Sequence, residues 1–87
     1  MNYEKLVHTI IDPLVEEPES VLVRVDESEE GKRISILIAA EKPDTARLIG
    51  RRGVVASAIR EVVSVYSKNA KQHVHINFES FGETKED

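Results

Sequence analysis

The stretch "RLIGRRGVVASAIR", residues 47–60, decides how this chain folds. Two glycines bracket two arginines, and apolar residues at helical spacing flank them on both sides. Gly50 is the residue type that ends a helix in a left-handed backbone conformation. After it, Val54, Val55, Ala58, Ile59, Val62, Val63 and Tyr66 repeat at intervals of three and four, which predicts a helix from Val54 to Tyr66. Before it, Pro43 suits a first helical turn and Asp44 favours the positive end of a helix dipole, which predicts a short helix from about Asp44 to Ile49. Two helices are thus joined by nothing longer than "GRRG".

Strands lie outward from this pair. In "SVLVRV" Val21, Val23 and Val25 alternate with Leu22 and Arg24, and in "KRISILIAA" Ile34, Ile36, Ile38 and Ala40 share one face. The charged loop "DESEEG" between them is short enough for an antiparallel hairpin. A third strand is written in "QHVHINF", where Val74, Ile76 and Phe78 alternate with His73, His75 and Asn77. Near the start, Leu6, Val7, Ile10, Ile11, Leu14 and Val15 form a helical stripe, with Pro13 expected to loosen its last turn. The resulting order is α-β-β-α-α-β. Three strands cannot cover both faces of a sheet with three short helices, so the expected α+β architecture is a three-stranded mixed sheet with all helices on one face. The open face is expected to carry Leu37, Ala39, His73 and His75. Residues 1–80 read as a single domain and 81–87 as an acidic, mobile tail.

Composition bounds the function. At 87 residues the core can only be thin. There is no cysteine, hence neither disulfide nor thiolate metal site, which fits a reducing compartment. Apolar runs such as "ISILIAA" are far shorter than a membrane span, so a soluble, cytoplasmic protein is expected. The net charge of −4 is unevenly spread. Residues 42–71 hold seven basic side chains against two acidic ones, a balance of +5, whereas the remainder holds five basic against fourteen acidic, a balance of −9. The local field around "GRRG" therefore attracts anions although the chain as a whole is acidic.

The loop has the chemistry of a phosphodiester clamp. Gly50 reverses the chain, and Gly53 lets a ligand's backbone approach the start of the next helix, whose amides and dipole favour an anion. Arg51 and Arg52 face solvent, where each guanidinium can fork onto phosphate oxygens. Ile49 and Val54 flank the loop, with Leu48 and Val55 as further aliphatic candidates for a groove wall. Arg47 and Arg60 are candidates for extending the phosphate track, and for Arg60 pairing with a carboxylate weighs at least equally. The candidate site is therefore Arg47, Ile49, Gly50, Arg51, Arg52, Gly53, Val54 and Arg60.

"IGRRG" set between two helices resembles the GXXG loop of the KH domain, which holds about four nucleotides of single-stranded nucleic acid. The extra helix and strand before the core resemble the type II arrangement. "RLIGRRGVVASAIR", "DPLVEEPESV" and the short length are most similar to the small stand-alone bacterial KH proteins of the KhpA family. That resemblance implies cytoplasmic binding of single-stranded RNA, an RNA-chaperone role, a larger KH-containing partner of the KhpB type (also called Jag or EloR), and a link to cell elongation and peptidoglycan homeostasis. In the family's loop, lysine or a further glycine often stands where this chain has Arg52 and Val54, which bears on finer preference.

Other chemistry finds little support. His73 and His75 sit two apart on one strand with no third metal ligand supplied by the sequence, and His8 is remote from them. "DESEEG" lacks the ordered alternation of a calcium loop. Ser57 and Ser64 have no paired His and Asp, so no catalytic residue, metal or cofactor is expected and the chain reads as a non-enzyme. Lys68 and Lys71 are expected beyond the end of the second helix of the pair, on solvated turns. A second reading makes the chain a protein-interaction module, forming a homodimer or heterodimer through the open sheet face or a helix edge.

Overall fold

The computed structural model describes residues 2–82. Helix α1 (Tyr3–Ile11) begins at Asn2, whose side-chain oxygen accepts the Lys5 amide at 2.7 Å and satisfies one of the free amides of the first turn. The α-helical part ends four residues earlier than the apolar stripe suggests. Pro13 has no amide to offer the Thr9 carbonyl, and residues Asp12–Leu14 continue as a 3-10 turn. Strand β1 (Leu22–Glu27) starts and ends two residues later than expected, after a second 3-10 turn at Pro18–Ser20. Strand β2 (Arg33–Ala40) pairs with it antiparallel, with Val23 opposite Ile38 and Val25 opposite Ile36.

Helix α2 (Lys42–Ile49) places Pro43 in its first turn, α3 (Val54–Asn69) follows, and strand β3 (His73–Ser80) returns parallel to β2. The sheet order is β1-β2-β3, a mixed three-stranded sheet with α1, α2 and α3 on one face, as the sequence predicts. Helix α3 runs three residues further than expected, so Lys68 lies in its last turn, while Lys71 occupies a left-handed position (φ 60°) just past the helix end. The tail expected from residue 81 lies outside the described residues from 83 onward. Phe81 still donates its amide to the Ala40 carbonyl at 2.8 Å.

One strand face and three helix stripes make the core. Val7, Ile11, Ile36, Ile38, Leu48 and Val63 are its largest fully buried side chains, and burying each is worth about 1.5–3 kcal/mol. On the open face Leu37, His73 and His75 lie as expected. Ala39 shares their side but is 5% exposed, because the cross-strand neighbours Leu22 and Glu79 flank its small side chain.

Two polar anchors place α2, and with it the loop that follows. The Thr45 hydroxyl lies 3.1–3.2 Å from the carbonyls of Ala40, Glu41 and Glu79, tying the first turn of α2 to the ends of β2 and β3. The Asp44 carboxylate is buried and does more than complement a dipole. It accepts the amides of Glu16 and Glu17 at 3.0 and 3.1 Å and also the guanidinium of Arg47, so the connection from α1 to β1 is stapled to α2. The Glu16 amide above all, with the Glu17 amide and Arg47, holds the Asp44 carboxyl below its ordinary value of 3.8, against the opposing effect of burial. The stability contributed by this staple is present above the unfolded-state value and is lost as pH falls through the lower folded-state value. Asp44→Asn is expected to lower the melting temperature at pH 7 by several degrees. The gap between wild type and variant should narrow below about pH 4 in melts followed by circular dichroism, as the wild-type carboxyl takes up its proton.

Candidate nucleic-acid interface

The corner between α2 and α3 is built on Gly50, whose backbone (φ 76°, ψ 171°) lies in a region open in practice only to glycine. Space forbids a side chain there as firmly as conformation does. A Cβ on Gly50 would lie 2.5 Å from Val55 Cγ2 and 2.9 Å from the Val55 amide nitrogen, so the α2 end and the α3 start touch directly. The next residues, Arg51–Gly53, form a 3-10 turn closed by the Gly53 amide on the Gly50 carbonyl at 3.0 Å. Within it Arg52 is held in the left-handed region (φ 58°, ψ 23°), a conformation that an arginine adopts only where the surrounding structure imposes it.

Gly53 also has a left-handed backbone (φ 76°, ψ 16°), but nothing lies within 4 Å of where its Cβ would be. The outer side of the turn is therefore open space. No side chain caps the start of α3, a helix of 16 residues, so its positive dipole end faces outward beside Gly53. Arg51 and Arg52 are both exposed, and among the described residues neither forms an ion pair. Ile49 is 37% exposed and Val54 62% exposed, on either side of the turn. The six residues from Ile49 to Val54 are thus brought together as one open, cationic and amide-rich protrusion with apolar shoulders.

The other sequence candidates fare differently. Arg47 is turned away from the loop into ion pairs with Asp44 and, at 3.4 Å, with Glu16. Leu48 is fully buried and belongs to the core, and Val55 is partly buried against it. Among the described residues Arg60 pairs with no carboxylate. Its Nη2 donates to the Ile76 carbonyl at 3.1 Å and its guanidinium carbon stands 5.3 Å from the centre of the Phe78 ring. Arg60 lies seven residues after Gly53, two helical turns and about 10 Å further along α3.

Two features escaped the sequence reading. The first is the apolar cleft between α1 and α3, lined by Ile10, Leu14, Val54, Ala58, Ile59 and Val62, with a volume of about 380 Å³. It is continued along α3 by Val65, 64% exposed. The helical stripe was legible, but only packing could say which of its members the core leaves uncovered. The second is the role of Asp44, whose partners Glu16 and Glu17 lie more than 25 residues away in sequence. Among the described residues no helix is long and apolar enough to cross a membrane.

A sequence model described as the KH domain of KhpA and KhpB matches residues 4–78. A Listeria monocytogenes protein named RNA-binding protein KhpA is 37% identical over 70 residues, 79% of this chain and 90% of that protein. The Bacillus subtilis protein of the same name is 32% identical over 78 residues, 90% of this chain and 91% of its own length. The one from Lactiplantibacillus plantarum is 32% identical over 74 residues, 85% of each. The match spans every element from α1 to β3 and includes the corner built on Gly50, so the chain belongs to the KhpA family of small KH-domain proteins.

Proposed function

We propose that this protein binds single-stranded RNA by clamping its sugar-phosphate backbone on Ile49, Gly50, Arg51, Arg52, Gly53 and Val54. The observation that carries this reading is the pair of exposed, unpaired arginines on a turn whose outer side is empty and whose next helix starts uncapped. Phosphate oxygens can approach Gly53 without meeting a side chain, and two planar guanidinium groups can fork onto them. Arg47 takes no part, being neutralised by Asp44 and Glu16. The names of the relatives, RNA-binding protein KhpA, support the same reading. The chain has two Phe, two Tyr and no Trp, so affinity rests on phosphate neutralisation more than on base stacking.

With RNA as ligand, the role we assign is that of a cytoplasmic RNA chaperone or post-transcriptional regulator. It acts with a larger KhpB/Jag-type partner, in the setting of cell elongation and peptidoglycan homeostasis that the family resemblance implies. A single small groove binds weakly, and joining a second RNA-binding subunit raises affinity by avidity. The surface we assign to assembly, with that partner or with a second copy, is the apolar cleft between α1 and α3. There Leu14, Val54, Val62 and Val65 are 43%, 62%, 50% and 64% exposed. The open sheet face fits assembly less well, because it carries the charged and polar Arg24, Asp26, Arg33, Ser35, His73 and His75.

Fluorescence-anisotropy titration of short single-stranded RNA at several salt concentrations tests the clamp. Wild-type affinity is expected to fall as salt rises, and Arg51→Asp, Arg52→Asp to weaken binding about tenfold or more and flatten the log–log salt slope by about 1.4. Equal binding by the folded double variant would sink the clamp. Val62→Asp, an exposed change with little expected effect on the melting temperature, is expected to abolish self-association or partner capture in sedimentation while leaving RNA affinity per chain unchanged. Unaltered association would move the interface elsewhere.

A further inference from the structure

On the open face of the sheet the strand register collects side chains that the clamp does not use. Arg33 lies beside His73 and Ser35 beside His75 on β2 and β3, and Asp26 stands opposite Ser35 on β1. Together they line a hollow of about 350 Å³. Arg33, His73 and His75 are exposed, and among the described residues none of these three side chains forms a hydrogen bond or an ion pair.

The acids nearby leave that arginine unneutralised. Asp26 pairs with Arg24 at 3.5 Å. The Glu27 carboxylate bends over the hairpin, where its Oε2 would stand 3.0 Å from a Cβ on Gly31. Glu29 and Glu30 are exposed on the same hairpin but do not line the hollow. Lys32, whose carbonyl accepts the His73 amide at 2.8 Å, and Lys71, two residues before His73, add exposed cations at this end of β3. The charge left over complements a phosphate.

The three free side chains also share a shape. Imidazole and guanidinium groups are flat and carry N–H donors, and both are surfaces on which unpaired bases stack. About 6.6 Å separates His73 from His75 along β3, so each can take its own base. Two imidazoles would also suit a metal ion, but among the described residues no group of three metal-ligating side chains is assembled. Helix α3, 16 residues and about 24 Å long, has the Arg51–Arg52 turn before its start and His73 after its end. The sheet stands between the helices and the hollow, so the two surfaces lie at opposite ends and on opposite sides of the molecule.

We infer that Arg33, His73 and His75 form a second surface for single-stranded RNA, on which bases stack while Arg33 meets the phosphate, so that one chain holds two RNA segments at once. The inference takes its ligand from the RNA-binding reading and its site from the sheet. Two segments held on one chain are concentrated about each other, which is what a chaperone that anneals RNA requires.

The chain has three histidines, so their ring-proton NMR signals can be followed one by one, with His8, bonded to Asp12 on the helix side, as internal reference. Wild type and Arg51→Asp, Arg52→Asp are titrated at constant pH with the RNA AAAAA and with a strand of five abasic phosphodiester units. The His73 and His75 signals are expected to move upfield with AAAAA in both proteins while His8 stays in place, and to move far less with the abasic strand. In anisotropy titrations, adding Arg33→Ala, His73→Ala and His75→Ala to the loop variant is expected to weaken its remaining affinity for AAAAA about tenfold or more. Stationary His73 and His75 signals at millimolar AAAAA overturn the inference. So do shifts that vanish in the loop variant, since the face would then only report occupation of the clamp, and equal shifts with the abasic strand, which would remove base stacking. The clamp is judged separately by Arg33→Ala, His73→Ala, His75→Ala with the loop intact: if that protein binds no RNA, the loop holds none. No binding of any RNA by wild type would overturn both readings. Circular dichroism confirms that the variants fold.

Discussion

The contact between Gly50 and Val55 is the constraint on which the rest of the molecule turns. Two helices meet there with no atom to spare, since a single methyl group at Gly50 would sit inside the Val55 side chain. This closeness is what makes a four-residue connection possible, and the short connection in turn leaves the two arginines no room to fold back on the protein. Arg52 takes a left-handed backbone to complete the turn. That strain, of order 1 kcal/mol or more, is tolerated because the packing of α2 and α3 on the sheet over-determines the corner. The exposure of the arginines is therefore a consequence of backbone geometry rather than of an absence of nearby acids.

Acids are in fact plentiful, and their placement sharpens the site. Glu16, Glu17, Glu41 and Asp44 line one hollow beside α2, and two of them, Asp44 and Glu16, claim Arg47. The staple thus does two things with one carboxylate. It fixes the helix that leads into Gly50, and it removes a competing positive charge from the flank of the loop. What remains is a field focused on Arg51 and Arg52 in a protein of net charge −4. Long-range attraction for nucleic acid is weak in such a molecule, so association would be governed by the local site and screened strongly by salt.

How much of this could be read from the chain follows the range of the interactions involved. The order of elements, the loop and its flanking aliphatic residues were legible because glycine placement and side-chain periodicity are local signals. The early end of α1 was half legible: Pro13 announced a disturbance, but whether the turn would bend or tighten depended on packing. Buried Ala39 was missed because its cover comes from the neighbouring strands. Leu48 and Ile49 look equally apolar in the sequence, yet one is fully buried and the other 37% exposed, a difference set by where α2 meets the sheet. Asp44 was read as complementing the dipole of α2, and Arg60 as a phosphate contact or the partner of a carboxylate. The backbone groups that each of them also meets lie far away in sequence, where no local pattern points to them.

Helix α3 carries the functional consequences of the fold on separate faces. Ala56, Ile59 and Val63 fill the core, while Gly53 and Arg60 share a second face beside β3. Val54, Ala58 and Val62 form a third, centred about 160° around the helix from Arg60. A single helix in an 87-residue chain can therefore carry the flank of the loop and the wall of the cleft on faces that meet only at its start. The separation has an energetic meaning. A groove of this size contacts few nucleotides, and its affinity is bounded by the few charges it neutralises. Gains beyond that bound must come from linking grooves, and linkage helps only if the linked surfaces leave the grooves open. Val54, the first residue of α3, belongs to both, because the loop shoulder and the cleft meet there. A partner seated on the cleft would thus lie against the flank of the Arg51–Arg52 turn.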